Sequence, residues 1–139
     1  MSPQFLDTNV LLYAYDPGAE DRHLAASELV LRLARSRQAA ISVQVMQEFY
    51  VNAVSKIARP LGIEQAIQRL QAFSRWSVHS PLAGDVIQAS KLADRHQLSF
   101  WDAMIVRSAL YLDCEILWTE DLNHGQVIES LQIRNPFLG

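Results

Sequence analysis

One cysteine, Cys114, stands in the whole chain. A lone cysteine excludes an internal disulfide and a cysteine-based zinc site. Its expected role is a small buried hydrophobe ahead of a strand, in a protein of the reducing cytoplasm. No apolar run reaches the ~18 residues that a membrane span needs. The N-terminus, MSPQFLDTNV, has neither the basic region nor the long apolar stretch of a signal peptide. A basic excess is missing too: 12 Lys and Arg stand against 15 Asp and Glu, a formal net charge of -3. Charge therefore gives no support to a nucleic-acid partner, and any basic patch has to be local. Glycine-rich phosphate loops are absent, which weighs against nucleotide binding of the P-loop or dinucleotide type. The four histidines, His23, His79, His96 and His124, show no metal spacing. They are expected at the surface or as caps.

What is present is a folding composition. Half of the 139 residues are hydrophobic and 19% are charged, enough for one domain with a real core. No internal repeat, low-complexity run or linker divides it, so a single domain over 1–139 is expected. Gln4–Leu6 reads as a buried strand ending at Asp7, and Asn9–Tyr15 is apolar up to the break at Asp16-Pro17-Gly18. Arg22 to Arg37 is expected as a helix, with its apolar stripe at Ala26, Leu29, Val30 and Leu33. Ala39–Ile41 reads as a second strand. Val45, Met46, Phe49, Ala53, Val54 and Ile57 then repeat at helical spacing up to Pro60 and Gly62. Ile63–Trp76 is expected as a helix with Ile67, Leu70 and Phe73 in phase, and Trp76–His79 as a third strand. Ala83–Gln97, marked by Val86, Ile87, Ser90 and Ala93, and Phe100–Leu112 read as helices. Glu115–Trp118 reads as a fourth strand, and a weaker one is expected near Val127–Ile128 or Leu131–Ile133. Short apolar strands alternating with amphipathic helices predict an α/β domain with a mostly parallel sheet.

In such sheets ligands bind outside the carboxyl ends of the strands. Asp7 follows the first strand and Asp121 the fourth, Asp102 opens the helix leading into the fourth, and Glu48 lies in the helix after the second. Each has a bland role open to it. Asp7 suits a helix cap, Ser99 with Asp102 a capping box, Asp121 a turn, and Glu48 a solvated position off the Val45/Phe49/Ala53 stripe. Asp102 is distinctive, because it is in phase with Ile105, Val106 and Ala109. A carboxylate heading an apolar stripe needs a partner, and its own helix dipole contributes only ~0.3–1 kcal/mol. Oxygen-only ligands select a hard ion, Mg²⁺ or Mn²⁺. Asn9 and Thr119, near two of the acids in the chain, read as structural caps or as residues that orient carboxylates or waters. Trp101 and Trp118 flank the same region. Core packing is the expected role for both, with stacking on an RNA base as the other role open to them. Arg32, Arg35 and Arg37 read as a solvated helix end or a phosphate-contacting patch.

Three stretches carry a family resemblance: Phe5-Leu6-Asp7-Thr8-Asn9-Val10-Leu11-Leu12-Tyr13, Leu98-Ser99-Phe100-Trp101-Asp102-Ala103-Met104-Ile105, and Ile116-Leu117-Trp118-Thr119-Glu120-Asp121-Leu122-Asn123-His124-Gly125. In this order the chain resembles the PIN-domain nucleases, above all the single-domain toxin ribonucleases of the VapBC toxin–antitoxin systems. The resemblance implies an α/β/α sandwich and an acidic site of Asp7, Glu48, Asp102 and Asp121 binding Mg²⁺ or Mn²⁺, with Asn9 and Thr119 supporting. It further implies RNA as substrate, a small antitoxin that blocks the site, and a homodimer. Two other readings of the chain stand beside this one. A signalling receiver domain would show an acidic pair after the first strand and a lysine after a late one, whereas Lys56 and Lys91 are at no strand end. A catalytically silent PIN-like module binding RNA or protein is the alternative.

Overall fold

The computed structural model describes residues 1–138. Six strands form one sheet: β1 (Gln4–Leu6), β2 (Ala39–Ser42), β3 (Ser77–His79), β4 (Ile116–Trp118), β5 (Val127–Ile128) and β6 (Leu131–Arg134), in the order β3-β2-β1-β4-β6-β5. All neighbours are parallel except the β5–β6 hairpin. The helices are α1 (Thr8–Ala14), α2 (Asp21–Arg35), α3 (Val43–Ala53), α4 (Ile63–Phe73), α5 (Ala83–His96) and α6 (Phe100–Tyr111). The expected α/β architecture with a mostly parallel sheet is therefore what the chain adopts.

The topology places a site before any side chain is considered. From β1 the chain moves outward through β2 to β3, then returns to the other side of β1 as β4. Right-handed crossovers put helices of the outward path on one face and those of the return path on the other. In keeping with this, α1 packs on α2 and α3, and α5 packs on α6. Carboxyl ends of β1 and β4 thus meet at a change of winding direction, where a crevice opens. β1 lies in the middle with all three residues buried, which is why Phe5 and Leu6 are apolar. Gln4 is tolerated there because its Oε1 accepts from the Trp118 indole Nε1 at 2.8 Å.

Beneath α1, α3 and α4 an aromatic group of Tyr15, Phe49, Phe73 and Trp76 fills the core with tilted and edge-to-face contacts of 4.8–6.0 Å. Asp16, buried after α1, clamps the loop following α3. Its carboxylate accepts from the backbone N–H of Gly18, Ala58 and Arg59 at 3.0–3.1 Å. Gly18 is needed at this crossing, since a Cβ there would meet Ala58 Cβ at 2.6 Å.

Several expectations need revision. Both candidate strands near the C-terminus form, as the two arms of one hairpin. The core face of α5 is Asp85, Ala89 and Leu92, while Val86 and Ile87 point outward. Asp85 takes a core position because its carboxylate is fully engaged, by Leu82 N–H at 2.8 Å and Arg107 Nε at 2.8 Å, with His79 Nε2 at 3.3 Å. His79 is accordingly buried, its Nδ1 on Ser108 Oγ at 2.8 Å and its ring stacked on Tyr111. It is not the surface or capping histidine expected. Ile67 on α4 is also exposed. Cys114 is buried ahead of β4 as expected, and burial pushes its thiol up to about 12.

Candidate active site

Asp7 is the first residue past β1 and the N-cap of α1, its Oδ1 accepting from Thr8 N at 2.7 Å. Its backbone N–H is anchored across the sheet on Trp118 O at 3.0 Å. Capping and site geometry are therefore the same fact: the strand-to-helix turn that needs a cap puts a carboxylate at the carboxyl edge. Thr119, following β4 and buried, donates its hydroxyl to Asp7 Oδ2 at 2.7 Å and accepts from Asp121 N at 3.1 Å. One threonine thus holds the two strand-end acids in register. Asn9 Nδ2 donates to Asp121 Oδ2 at 3.3 Å.

The other two acids arrive from the two helical layers. Glu48 on α3 is held by Thr8 Oγ1, which donates to its Oε1 at 2.8 Å. Asp102 sits in the first turn of α6, where Ser99 Oγ accepts from Asp102 N at 3.1 Å. Among the described hydrogen bonds the Asp102 carboxylate makes no return bond to the cap. It remains half-exposed at the head of a stripe whose later members, Ile105, Val106 and Ala109, are buried. Gln44 Nε2, from α3, reaches the Trp101 carbonyl of α6 at 3.4 Å and links the layers.

Asp7, Glu48, Asp102 and Asp121 line one pocket of about 130 Å³ together with Thr8, Asn9, Gln44, Asn52, Trp101 and Ile105. No lysine, arginine or histidine contributes to its wall. The electrostatic result follows directly. Burial, aided by Asp121 and Glu48 and opposed by the Thr119 and Thr8 hydrogen bonds, raises Asp7 from 3.8 to about 6. Asp121 is also raised, by partial burial and then by Asp102, Glu120 and Glu48. Mutual repulsion of this kind is what a cation relieves.

The donor set fits a hard divalent ion: carboxylate, amide and hydroxyl oxygens, with no sulfur or imidazole. Among the described residues no three acidic, cysteine or histidine side chains converge closely enough to grip an ion directly.

Sequence reasoning had not singled out Thr8, Gln44 or Asn52, whose Nδ2 donates to Glu48 O at 2.7 Å. For Thr8 the signal was its place beside Asp7; Gln44 and Asn52 lie one helical turn on either side of Glu48. Trp101 is 64% exposed at the pocket rim, so core packing is not its role. Trp118 is half-buried and packs against the core as expected. Glu120, next to Asp121, turns away: Tyr13 Oη donates to its Oε1 at 2.6 Å and Arg22 Nε to its Oε2 at 3.2 Å. His124 is outside the pocket, its Nδ1 accepting from Asn135 N at 3.0 Å. Arg32 and Arg35 lie with Glu28 and Trp118 in a separate groove along α2.

Residues 5–129 match the family described as PIN domain. No curated protein matches the sequence. Three solved structures illustrate the similarity. A toxin–antitoxin complex from Klebsiella pneumoniae has a TM-score of 0.68 and 22% identity, over 94% of this chain and 95% of that one. VapBC2 from Rickettsia felis, bound to a DNA fragment from their promoter, gives 0.63 and 25%, over 95% and 97%. VapC20 of Mycobacterium tuberculosis, a toxin that cleaves the sarcin–ricin loop, gives 0.61 and 20%, over 82% and 86%.

Proposed function

The chain belongs to the PIN domain family, and from that premise we propose that it is a metal-dependent endoribonuclease, the toxin of a toxin–antitoxin pair. One observation carries the reading: four carboxylates from β1, α3, α6 and the β4 exit line a single pocket that contains no basic side chain. RNA phosphates are repelled by such a wall unless a cation intervenes, and this electrostatic argument supports metal dependence.

Asp7, Glu48, Asp102 and Asp121 are the residues that would hold Mg²⁺ or Mn²⁺. When bound, the ion supplies Lewis-acid activation and charge neutralisation for phosphodiester hydrolysis. The protein's own part is positioning. Thr119 fixes Asp7 and, through the Asp121 N–H, the turn after β4. Thr8 fixes Glu48, and Asn9 steadies Asp121. Ile105 gives the pocket an apolar floor.

The same acidic pocket is suited to an arginine inserted by an antitoxin, since a guanidinium forms paired bonds with carboxylates. A complex with a small antitoxin, a homodimeric toxin and a cytoplasmic location complete the proposal. Among the described residues no helix is long and apolar enough to cross a membrane.

The test is cleavage of RNA by the purified protein with Mg²⁺, Mn²⁺ or EDTA, beside an Asp7→Asn/Asp102→Asn double variant. The reading requires cutting by wild type with metal, and none in EDTA or by the variant. Equal cutting by both proteins removes the assigned site. A folded wild type that binds no Mn²⁺ and cuts no RNA is instead the silent module.

A further inference from the structure

The turn that carries Asp121 is gripped by a second set of contacts outside the acid pocket. Asn9 and Tyr13 stand four residues apart on α1 and share one face of it. Asn9 holds Asp121, and Tyr13 Oη donates to the preceding residue, Glu120, at 2.6 Å. From α2, Arg22 Nε donates to the other Glu120 oxygen at 3.2 Å. Glu120 thus has a partner on each oxygen, and neither it, Tyr13 nor Arg22 lines the pocket. This lock is itself braced. The Tyr13 and Phe137 rings meet edge-to-face at 5.3 Å, and the Arg22 guanidinium lies 5.8 Å and 5.4 Å from their centroids. Phe137 N–H donates to Asn135 Oδ1 at 2.8 Å, and Asn135 N–H to His124 Nδ1 at 3.0 Å, so the C-terminal segment ties back to the same loop.

We propose that Tyr13 and Arg22 are positioning residues for the acid site, acting through Glu120: they draw that carboxylate out of the way, so that its neighbour Asp121 is the one presented to the pocket. The inference rests on the reading of the pocket as an ion site and adds to it a pair of residues on its far side. Two consecutive carboxylates beside one cation site present a choice of which enters. An unheld Glu120 carries the same charge as Asp121 on an arm one methylene longer, and competes with it for the cation. Tyr13 and Arg22 remove the competitor and, in doing so, fix the chain at the residue before Asp121. Stability is a poor account of the ion pair, since the Arg22 side chain is 53% exposed and such pairs contribute little. α1 therefore controls three consecutive residues after β4: Thr119 through its N-cap Asp7, Glu120 through Tyr13 and Asp121 through Asn9.

The experiment is calorimetric titration of Mn²⁺ into wild type, Tyr13→Phe, Arg22→Met, the pair together, Glu120→Ala, and the pair in the Glu120→Ala background. Thermal unfolding in EDTA checks the fold of each. Tyr13→Phe keeps the ring on Phe137, so it reads the lock even where a heavier variant unfolds. The pair is expected to bind Mn²⁺ about tenfold more weakly, the low end for outer partners of a metal ligand. Arg22→Met supplies a test of sign. Charge alone tightens Mn²⁺ when a guanidinium is taken from beside an acidic pocket, whereas lost positioning weakens it. Glu120→Ala is expected to lose a similar factor, and the pair adds nothing to that loss, because both residues act through the one carboxylate. Unchanged or tighter binding by the pair overturns the proposal. So does a loss of the same size in the Glu120→Ala background, or a lowered melting temperature with an unaltered Kd, which is a structural role only. A folded wild type that binds no Mn²⁺ removes the ion reading and this inference with it. That result is distinct from failure of the lock alone, in which wild type and the pair bind equally.

Discussion

Asp7→Asn is expected to stabilise the metal-free protein while removing cleavage. Asp7 is raised from 3.8 to about 6, chiefly by burial. A rise of that size corresponds to about 3 kcal/mol lost from stability wherever the group is ionised in both states. The sign runs in one direction. A carboxylate with a raised folded pKa contributes its full stability below the unfolded value, and that contribution disappears as pH rises through the folded value. Asn stays neutral and avoids the cost. It keeps the cap, since Asn and Asp are equivalent N-caps, but the Thr119 hydroxyl must turn round to accept from an amide, a loss of about 1 kcal/mol. The net gain at pH 8 is about 2 kcal/mol, or about 7 °C in melting temperature for a domain of this size. Near pH 4.5 the gain falls to about zero, because folded Asp7 is itself protonated there and the remaining ~1 kcal/mol cancels against the altered hydrogen bond. Thermal unfolding by far-UV circular dichroism in EDTA, at both pH values, measures this directly. An Asn variant that melts at or below wild type at pH 8 refutes the reasoning, and so does a gain that is the same at both pH values.

Four other outcomes are expected. Mn²⁺ or Mg²⁺ stabilises wild type by about 2.7 kcal/mol at a hundredfold excess over Kd. The Asp7→Asn/Asp102→Asn variant gains nothing, and calorimetric titration checks both. Asp16→Ala strips the acceptor from three backbone N–H groups and lowers stability by about 2–3 kcal/mol in urea unfolding. Arg107→Leu leaves the buried Asp85 carboxylate without its guanidinium at a cost of about 2 kcal/mol, below the usual value for a buried pair because Arg107 is partly exposed. Asp85 is held below its ordinary value by the Leu82 N–H and by Arg107, whereas burial lowers His79. Wild type therefore loses stability as pH falls through 6.5, where unfolded His79 gains a proton that the folded protein resists. The Arg107→Leu penalty persists until Asp85 is protonated, and urea unfolding from pH 7.5 downward follows both.

Strands and helices were legible where one face is buried against a sheet. Ala26, Leu29, Val30 and Leu33 mark α2 in the sequence and are its buried residues. The phase of α5 was not legible, because its core position is Asp85, and a charged residue enters a core only through partners from β3 and α6 that no local pattern reveals. Asp7 and Asp121 could be placed at strand ends from the chain alone. Glu48 could not, since what brings it in is a hydroxyl from α1, forty residues away. Trp101 was misjudged for a related reason: periodicity says which residues are apolar, not which of them the neighbouring layer leaves uncovered.

The central position of β1 has a consequence for the timing of activity. Asp7 is made long before Thr119, 112 residues further on, yet that hydroxyl sets its carboxylate, and the carbonyl of Trp118 sets its backbone. Asp121, the fourth acid, is later still. A growing chain that has already made α1 to α5 has an open edge where β4 will insert and owns no complete site. Translation itself therefore serves as a delay. Until β4 has inserted, the growing chain holds no complete set of carboxylates at the sheet edge.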